Sequence, residues 1–168
     1  TNGISFSFWW KSAGTQGTSS TIFDFAEDAN NRITFYDVSN SSTSPVLQLI
    51  TGTPAIHSYT LTQTNFNNSE WHHVVWNIDK YNNTWEIFYD NVSTTITSKM
   101  YPENVSRPYC FFGRSTVAAE LYANGYIDEF RIYSKALTAT DVANLYNNVD
   151  TTSLTDNLIL YYSFNQDA

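Results

Sequence analysis

The sequence predicts an all-β fold: a two-sheet antiparallel β-sandwich of the jelly-roll type with one short helix near the C-terminus. Apolar and polar residues alternate in about ten short segments, which is the pattern of strands with one face in a core. The stretches between these segments are rich in Ser, Thr, Asn and Gly, as loops are. Aromatic residues make up 17% of the 168 residues and charged residues only 14%, a composition that suits packed strands.

The predicted strands follow one another along most of the chain. In the first, ISFSFWWKS, the side chains of Phe6, Phe8 and Trp10 share one face. Further strands are predicted at TIFDFAE, NRITFYDV, PVLQLIT, HSYTLTQT, WHHVVWNID, TWEIFYDNV, PYCFFGR, GYIDEFRIY and LILYYSF. Short strands at this spacing are typical of β-sandwiches and jelly rolls.

One helix interrupts the strands near the C-terminus. Thr138 is a good N-cap residue, and Asp141 three positions later completes a capping box. Leu137 and Val142 hold the two positions of a hydrophobic staple. We expect this helix, over residues 139–146, to close one end of the sandwich.

The charge balance limits the partners. Sixteen acidic and eight basic residues give a net charge of −8 at pH 7, so we expect neither nucleic acid nor an anionic membrane surface as a partner. No apolar run approaches the ~20 residues of a membrane-spanning helix, and no membrane insertion is expected. The single Cys110 excludes an internal disulfide, and its setting in PYCFFG predicts a buried small hydrophobe. Neutral partners such as sugars, or cations such as Ca²⁺, fit this charge.

Three segments carry a resemblance to a known family. FSFWWK at 6–11 is similar to that family's opening strand, and WHHVV at 71–75 followed by FYDN at 88–91 resembles its central strand and hairpin turn. Residues 125–146 resemble its closing G-x-I-D-E strand and short helix. The chain thus resembles the LamG-like jelly-roll group of the concanavalin A-like lectin/glucanase superfamily. Asn91 stands where the family usually has Gly, a tolerable change because Asn also adopts positive φ.

The domain organisation follows from the same resemblance. A single domain, residues 1–168, is predicted. LILYYSF resembles the strand that usually stands first in such domains, so residues 158–168 either complete the open edge of this domain or begin a following repeat. We favour the first interpretation. The chain starts inside a strand-like pattern, which suggests a piece of a larger protein with further domains, and we expect an extracellular, cell-surface or virion-surface location.

No catalytic site is expected. The related glucanases carry Glu-x-Asp-x-(x)-Glu on one strand, which places two carboxylates on one face, and this spacing does not occur here. Asp128 and Glu129 are adjacent, so strand alternation is expected to send them to opposite faces. His72 and His73 are also neighbours, and we expect both to be structural. A glycoside hydrolase or lyase therefore ranks third among the candidate functions.

A structural Ca²⁺ is the metal that the sequence favours. In related glucanases an aspartate at the position of Asp128 helps to bind Ca²⁺ together with groups from the first-strand region. By that resemblance Asp128 would bind the ion together with Asn165 and Asp167, and such oxygen ligands suit Ca²⁺. The acidic loop at 27–31 is a second candidate. The alternative for both places is a solvated loop or a carboxylate that caps the backbone.

Four residues are predicted to bind a ligand. Carbohydrate binding needs aromatic rings beside hydrogen-bonding side chains, because sugars present both C–H faces and hydroxyl groups. Tyr81, Arg114 and Tyr122 lie near predicted loops or strand ends, where ligand sites are common. Trp85, an aromatic residue of the predicted strand TWEIFYDNV, is the fourth. Trp9 and Trp71 also belong to strands, but they match family positions that commonly pack inside the sandwich.

The predicted function is a non-catalytic binding or adhesion module that recognises a glycan or glycoprotein. The main alternative is a structural spacer domain in a tandem array, without a ligand of its own. Exposed, clustered aromatic side chains would favour binding, whereas wholly buried ones would favour the spacer.

Overall fold

The computed structural model describes residues 3–14, 20–37, 45–51, 56–63, 65–149 and 152–165. In these residues the strands are β1 (Gly3–Ser12), β2 (Ser20–Asp28), β3 (Asn31–Asp37), β4 (Pro45–Thr51), β5 (Ile56–Thr60), β6 (Trp71–Asp79), β7 (Thr84–Tyr89), β8 (Val92–Ile96), β9 (Tyr109–Phe112), β10 (Leu121–Tyr122), β11 (Gly125–Tyr133) and β12 (Leu158–Tyr162). An α-helix, α1 (Ala139–Tyr146), and a 3₁₀-helix (Thr152–Asn157) lie between β11 and β12.

The strands form two sheets. One has the order β12-β11-β1-β6-β7-β8, and the other has the order β10-β2-β3-β4-β5, with β9 also paired to β2. The paired strands run antiparallel except β10 and β2, which are parallel, among the pairs whose register is described. Two sheets with one α-helix confirm the predicted all-β, jelly-roll fold class.

The chain divides into two compact units. The first comprises Thr1–Trp10, Trp71–Tyr101 and Ile127–Ala168, and the second comprises Lys11–Glu70 and Pro102–Tyr126. None of the helices in the described part of the chain is long and apolar enough to span a membrane.

In the first unit, both faces of β1 are covered. Phe6 and Phe8 are buried on one face, where Phe8 stacks on Phe130 of β11 at 5.9 Å between ring centroids. Ser5 is fully buried on the other face, and its Oγ lies 2.7 Å from Asn77 Oδ1 and 2.6 Å from the carbonyl oxygen of Lys135. The polar face of β1 is therefore closed by the segment that leads into α1.

The helix forms where the sequence predicts it. Thr138 accepts a hydrogen bond from the Asp141 amide, and the Asp141 carboxylate accepts one from the Thr138 amide, so the capping box is present. The helix packs on one face of the sheet that contains β6, β7 and β11, and not at the end of the sandwich as predicted. The buried side chains that it shares with this sheet and with the 3₁₀-helix are Val75, Phe88, Tyr133, Leu137, Val142, Leu145 and Leu154.

The second unit has an aromatic core and a buried charged network. Phe23 of β2 stacks on Phe35 of β3 at 6.0 Å between ring centroids. On the other face Arg32 is almost fully buried, with Nη1 3.3 Å from Asp24 Oδ2 and Nη2 donating to Glu120 Oε1 at 2.6 Å. Buried charges need such partners. The network ties β2 and β3 to the segment before β10.

The prediction of a buried Cys110 is wrong. The residue is exposed, and its Sγ lies 3.3 Å from the carbonyl oxygen of Arg107. The reason is that β9, which carries Cys110, is a four-residue strand that pairs with β2 along one side, so packing covers only part of it.

Candidate functional site

An open pocket of about 410 Å³ lies in the first unit. It lies on the face of the sheet that carries α1, because Trp9 shares a face of β1 with the buried Ser7 and its ring stacks on Tyr146 of α1. Its lining combines aromatic, charged, amide and apolar side chains from β1, β6, β11 and the end of the helix: Trp9, Trp71, Asp128, Glu129, Arg131, Leu145, Asn148 and Val149.

Two tryptophans supply the aromatic surface. Trp9 is half-buried, and its ring stacks on Tyr146 of α1 with centroids 5.6 Å apart. The ring of His73 lies 5.0 Å from that of Trp9. Trp71 begins β6 and is 41% exposed. Trp9 is therefore held by packing, while Trp71 keeps a large part of its ring open to a ligand.

Asp128 and Glu129, adjacent on β11, line the same pocket, whereas strand alternation predicts opposite faces for them. The physical reason is the backbone of Glu129, which has φ +51°. Regular alternation assumes extended φ values, and a residue in the left-handed region breaks it. The Asp128 carboxylate fits this local geometry, because its Oδ1 accepts the Glu129 amide at 2.8 Å.

Glu129 is engaged by two neighbours. One oxygen pairs with the guanidinium of Arg131, and the other accepts the Tyr161 hydroxyl of β12 at 2.8 Å. The Arg131 guanidinium carbon also lies 4.4 Å from the centre of the Tyr161 ring, a cation–π contact. Both Glu129 carboxylate oxygens thus have a partner within the protein.

The end of α1 forms another wall of the pocket. Asn148 has φ +52°, and the Val149 amide donates to the carbonyl oxygen of Asn144 at 2.9 Å. A left-handed residue after a helix closes its last turn in this way. The closure sets Asn148 and Val149 beside the two tryptophans.

Both neighbouring histidines are buried. His73 Nε2 lies 3.0 Å from Ser7 Oγ, and burial lowers the pKa of His73 to about 4, although Asp90 acts in the opposite direction. His72 Nδ1 lies 2.7 Å from Asp90 Oδ2, and the His72 ring stacks on Tyr89. These contacts fit the structural role that the sequence analysis expected for both.

Two of the predicted ligand-binding residues lie in the first unit. Tyr81, in the turn between β6 and β7, is 83% exposed. Trp85 is 0% exposed, its Nε1 donates to the Met100 carbonyl oxygen, and it packs edge-on against Trp76. Trp85 therefore presents no ring face to a ligand. An open hollow of about 470 Å³ near Tyr81 is lined by Asn82, Asn83, Thr97, Ser98, Lys99 and Met100.

The other two predicted residues lie in the second unit. Tyr122 is 73% exposed on the short strand β10, opposite Thr21 of β2. Arg114 is exposed, and its guanidinium carbon lies 4.3 Å from the centre of the Phe111 ring. The structure therefore divides Tyr81, Arg114 and Tyr122 between the two units and places none of them in the pocket that contains Trp71.

The predicted calcium ligands can be located in part. Asp128 lies in the pocket wall, Asn165 is exposed beyond β12, and Asp167 lies outside the described residues. Within residues that the structure describes, no group of three or more His, Cys, Asp or Glu side chains could hold a metal ion. In the second candidate loop, Asp28 Oδ1 accepts the amides of Asn30 and Asn31, as a turn-capping carboxylate does. Calcium binding stays a prediction.

The pocket was not predicted from the sequence, although the pattern of the strands contains part of it. Trp71 lies on the same face of β6 as His73, and Trp9 lies on the same face of β1 as Ser7. Strand alternation alone therefore places both tryptophans on strand faces that also carry polar side chains. The positive φ of Glu129 could not be predicted from the sequence, because Glu is not one of the residue types that favour positive φ.

The comparisons with solved structures show the same fold. The binding domain of botulinum neurotoxin DC in complex with SialylT matches with a TM-score of 0.69 and 17% identity, over 90% of this chain and 36% of that one. A structure of botulinum neurotoxin type C, a toxin whose cell entry is described as dependent upon interaction with two ganglioside molecules, also matches. The TM-score is 0.66 and the identity 18%, over 90% of this chain and 36% of that one. The binding domain of botulinum neurotoxin DC in complex with rat synaptotagmin II matches with a TM-score of 0.61 and 16% identity, over 90% and 37%. This chain spans about a third of the length of these neighbours.

The comparison with family models assigns the family. Among curated proteins, none matches the sequence significantly. The Laminin_G_3 model, described as the concanavalin A-like lectin/glucanases superfamily, matches residues 1–143. The chain belongs to the concanavalin A-like lectin/glucanases superfamily.

Proposed function

We propose that this protein is a non-catalytic module that binds a glycan or a glycoprotein, and that the pocket around Trp9 and Trp71 is its binding site. The module acts within a larger extracellular, cell-surface or virion-surface protein. The fold neighbours that bind SialylT, gangliosides or synaptotagmin II support a recognition role.

The observation that carries this proposal is the combination of side chains in one pocket. Trp71 is 41% exposed and supplies a ring face for the C–H groups of a sugar. Asp128 and Asn148, in the same lining, supply acceptors and donors for hydroxyl groups. An open pocket of about 410 Å³ is large enough for one or two sugar rings.

The same observation argues against the spacer. Trp71 is exposed and lines the pocket together with Trp9 and charged side chains, and such a cluster favours binding, whereas single exposed rings such as Tyr81 and Tyr122 are ordinary surface features. An enzyme is disfavoured because glycoside hydrolysis uses a pair of carboxyl groups, and in this pocket Glu129 is already paired with Arg131 and bonded to Tyr161 beside Asp128.

The test is a glycan array combined with binding to surface glycoproteins, using the wild type and a Trp71→Ala variant. We expect the wild type to bind at least one glycan and Trp71→Ala to bind it about 5- to 150-fold more weakly, since loss of a stacking ring costs about 1–3 kcal/mol. Circular dichroism and the Tm should stay near wild-type values, because Trp71 is a partly exposed residue at a strand start.

Tyr81→Ala and Tyr122→Ala are the matched controls, because each removes an exposed aromatic ring outside the pocket. We expect both to bind like the wild type. Loss of binding in either control with full binding by Trp71→Ala would move the site to the loops of the sequence-based prediction. If the wild type bound no glycan on the array and no surface glycoprotein, the result would contradict the proposed function.

A further inference from the structure

The charge of the pocket is set by three neighbouring residues of β11. Among the described residues that line it, Arg131 is the one cation, and Asp128 and Glu129 are the two anions. Arg131 is not free to meet a ligand anion. One of its terminal nitrogens pairs with the Glu129 carboxylate, and the other donates to the Glu129 carbonyl oxygen at 3.3 Å.

The position of Arg131 is fixed from a second side as well. Its guanidinium lies over the ring of Tyr161, and the Tyr161 hydroxyl donates to the same Glu129 carboxylate. The three groups form a closed set on β11 and β12, in which the positive charge is already compensated. Only 16% of the Arg131 side chain and 27% of the Glu129 side chain is exposed.

In protein without a bound cation, Asp128 then leaves the pocket with a negative charge. Its Oδ1 accepts the Glu129 amide, and no cation other than Arg131 is found among the lining residues that the structure describes. The chain as a whole also carries a charge of −8 at pH 7. A ligand carboxylate placed beside Trp71 would therefore meet like charge without a compensating cation.

We infer that the pocket recognises an uncharged terminal sugar and discriminates against a sialylated one. This inference rests on the proposed glycan-binding function. It names the class of ligand: a neutral pyranose whose C–H face covers Trp71 and whose hydroxyl groups donate to the Asp128 carboxylate. Glu129 sets this specificity, because its carboxylate pairs with the Arg131 guanidinium and thereby keeps that positive charge from pairing with an anionic ligand.

The experiment measures, in the presence of EDTA, binding to a sialylated serum glycoprotein and to the same preparation after neuraminidase treatment, together with array glycans that differ only in a terminal sialic acid. We expect the desialylated partner of each pair to bind about tenfold or more tightly, and the difference to shrink as salt screens the charges. Equal or tighter binding of the sialylated partner would overturn the inference while leaving the proposed function standing. A failure of every pair to bind would overturn both.

Glu129→Gln provides the second measurement. The amide can still accept from Tyr161, but it no longer neutralises Arg131, so we expect affinity for the sialylated partner to rise several-fold relative to the wild type. Glu86→Gln on β7 changes the net charge equally outside the pocket lining and should leave the ratio of the two affinities unchanged. Should Glu129→Gln, with a wild-type circular dichroism spectrum, keep the wild-type ratio, Glu129 would not set the specificity.

Discussion

The backbone of one residue decides which side chains meet in the pocket. Glu129 adopts φ +51° in the middle of β11, and with it Asp128 and Glu129 line the same pocket. Non-glycine residues with positive φ cost energy and are found where the surrounding contacts hold them, often at functional sites. Here the contacts with Arg131 and Tyr161 hold Glu129.

Asn77 is the buried residue with the clearest structural task. Its Nδ2 donates to the Leu137 carbonyl oxygen at 2.8 Å, and its Oδ1 lies 2.7 Å from Ser5 Oγ. We expect Asn77→Ala to lower the free energy of unfolding by about 2–4 kcal/mol, because buried partners lose their hydrogen bonds. Urea denaturation measures this. Asn165→Ala, at an exposed position, should change stability by less than about 0.5 kcal/mol. Equal effects would contradict the account.

His73 should make the protein sensitive to mild acid. Burial lowers its pKa to about 4, whereas an unfolded histidine titrates near 6.5. Between these pH values the unfolded chain binds a proton that the folded protein does not, so stability falls as the pH decreases from about 6.5 to 4, by about 3 kcal/mol in total. The Tm measured against pH should show this decline in the wild type.

The matched variants for this measurement are His73→Gln and His57→Gln, the latter in the second unit. With each variant referred to its own stability at pH 7, the decline should be much smaller in His73→Gln and should persist in His57→Gln. An unchanged decline in His73→Gln would show that other groups cause the acid sensitivity.

At the scale of elements, three strands and the helix match the sequence-based prediction most closely. β4, β6 and β11 begin and end at the predicted residues, and α1 covers exactly the predicted range from Ala139 to Tyr146. The strands that the sequence analysis missed are β8 and β10. β8 is exposed along nearly its whole length and β10 has only two residues, so neither shows an alternating pattern.

β12 pairs with β11 at the edge of the first sheet, with Tyr161 opposite Arg131 and Tyr162 opposite Phe130. This pairing brings the Tyr161 hydroxyl to Glu129. The strand is thus one of the elements that hold the pocket wall. Whether residues 158–168 also begin a repeat in a longer protein stays a prediction.

The capping box of α1 gives the prediction at this scale. We expect Thr138→Ala to lower the free energy of unfolding by about 1 kcal/mol, because the Asp141 amide loses its acceptor at the start of the helix. Thr140→Ala, an exposed position within the same helix, is the control and should be neutral or slightly stabilising. Chemical denaturation of the two variants measures the difference. A larger loss in Thr140→Ala would contradict the assigned cap.

At the scale of the whole molecule, the sequence determines the fold class better than the site. Period-two alternation and the resemblance at 6–11, 71–75 and 125–146 predict the all-β fold and the family. The pocket depends on residues from four elements that are distant in sequence. It also depends on the positive φ of Glu129, which the residue type does not predict. The burial of Trp85 could not be predicted either, because the sequence around a strand tryptophan does not show whether other parts of the chain cover its ring.

Calcium binding can be tested on the whole protein. If Ca²⁺ binds at the predicted ligands Asp128, Asn165 and Asp167, adding Ca²⁺ to EDTA-treated protein will raise the Tm. The reason is that an ion that binds only the folded state stabilises that state. Calorimetric titration should show saturable heat in the wild type and a reduced signal in Asp128→Asn. Magnesium at the same concentration is the control. The absence of both heat and a Tm rise in the wild type would exclude the ion.

The most direct test of the central claim, that a glycan binds in the pocket around Trp9 and Trp71, is an NMR titration of the indole N–H signals with a glycan selected from the array. We expect the signals of Trp71 and Trp9 to shift and saturate together. Those of Trp76 and Trp85, which are fully buried, should stay in place and serve as internal references. Saturable binding that leaves the Trp71 and Trp9 signals unchanged would contradict the account.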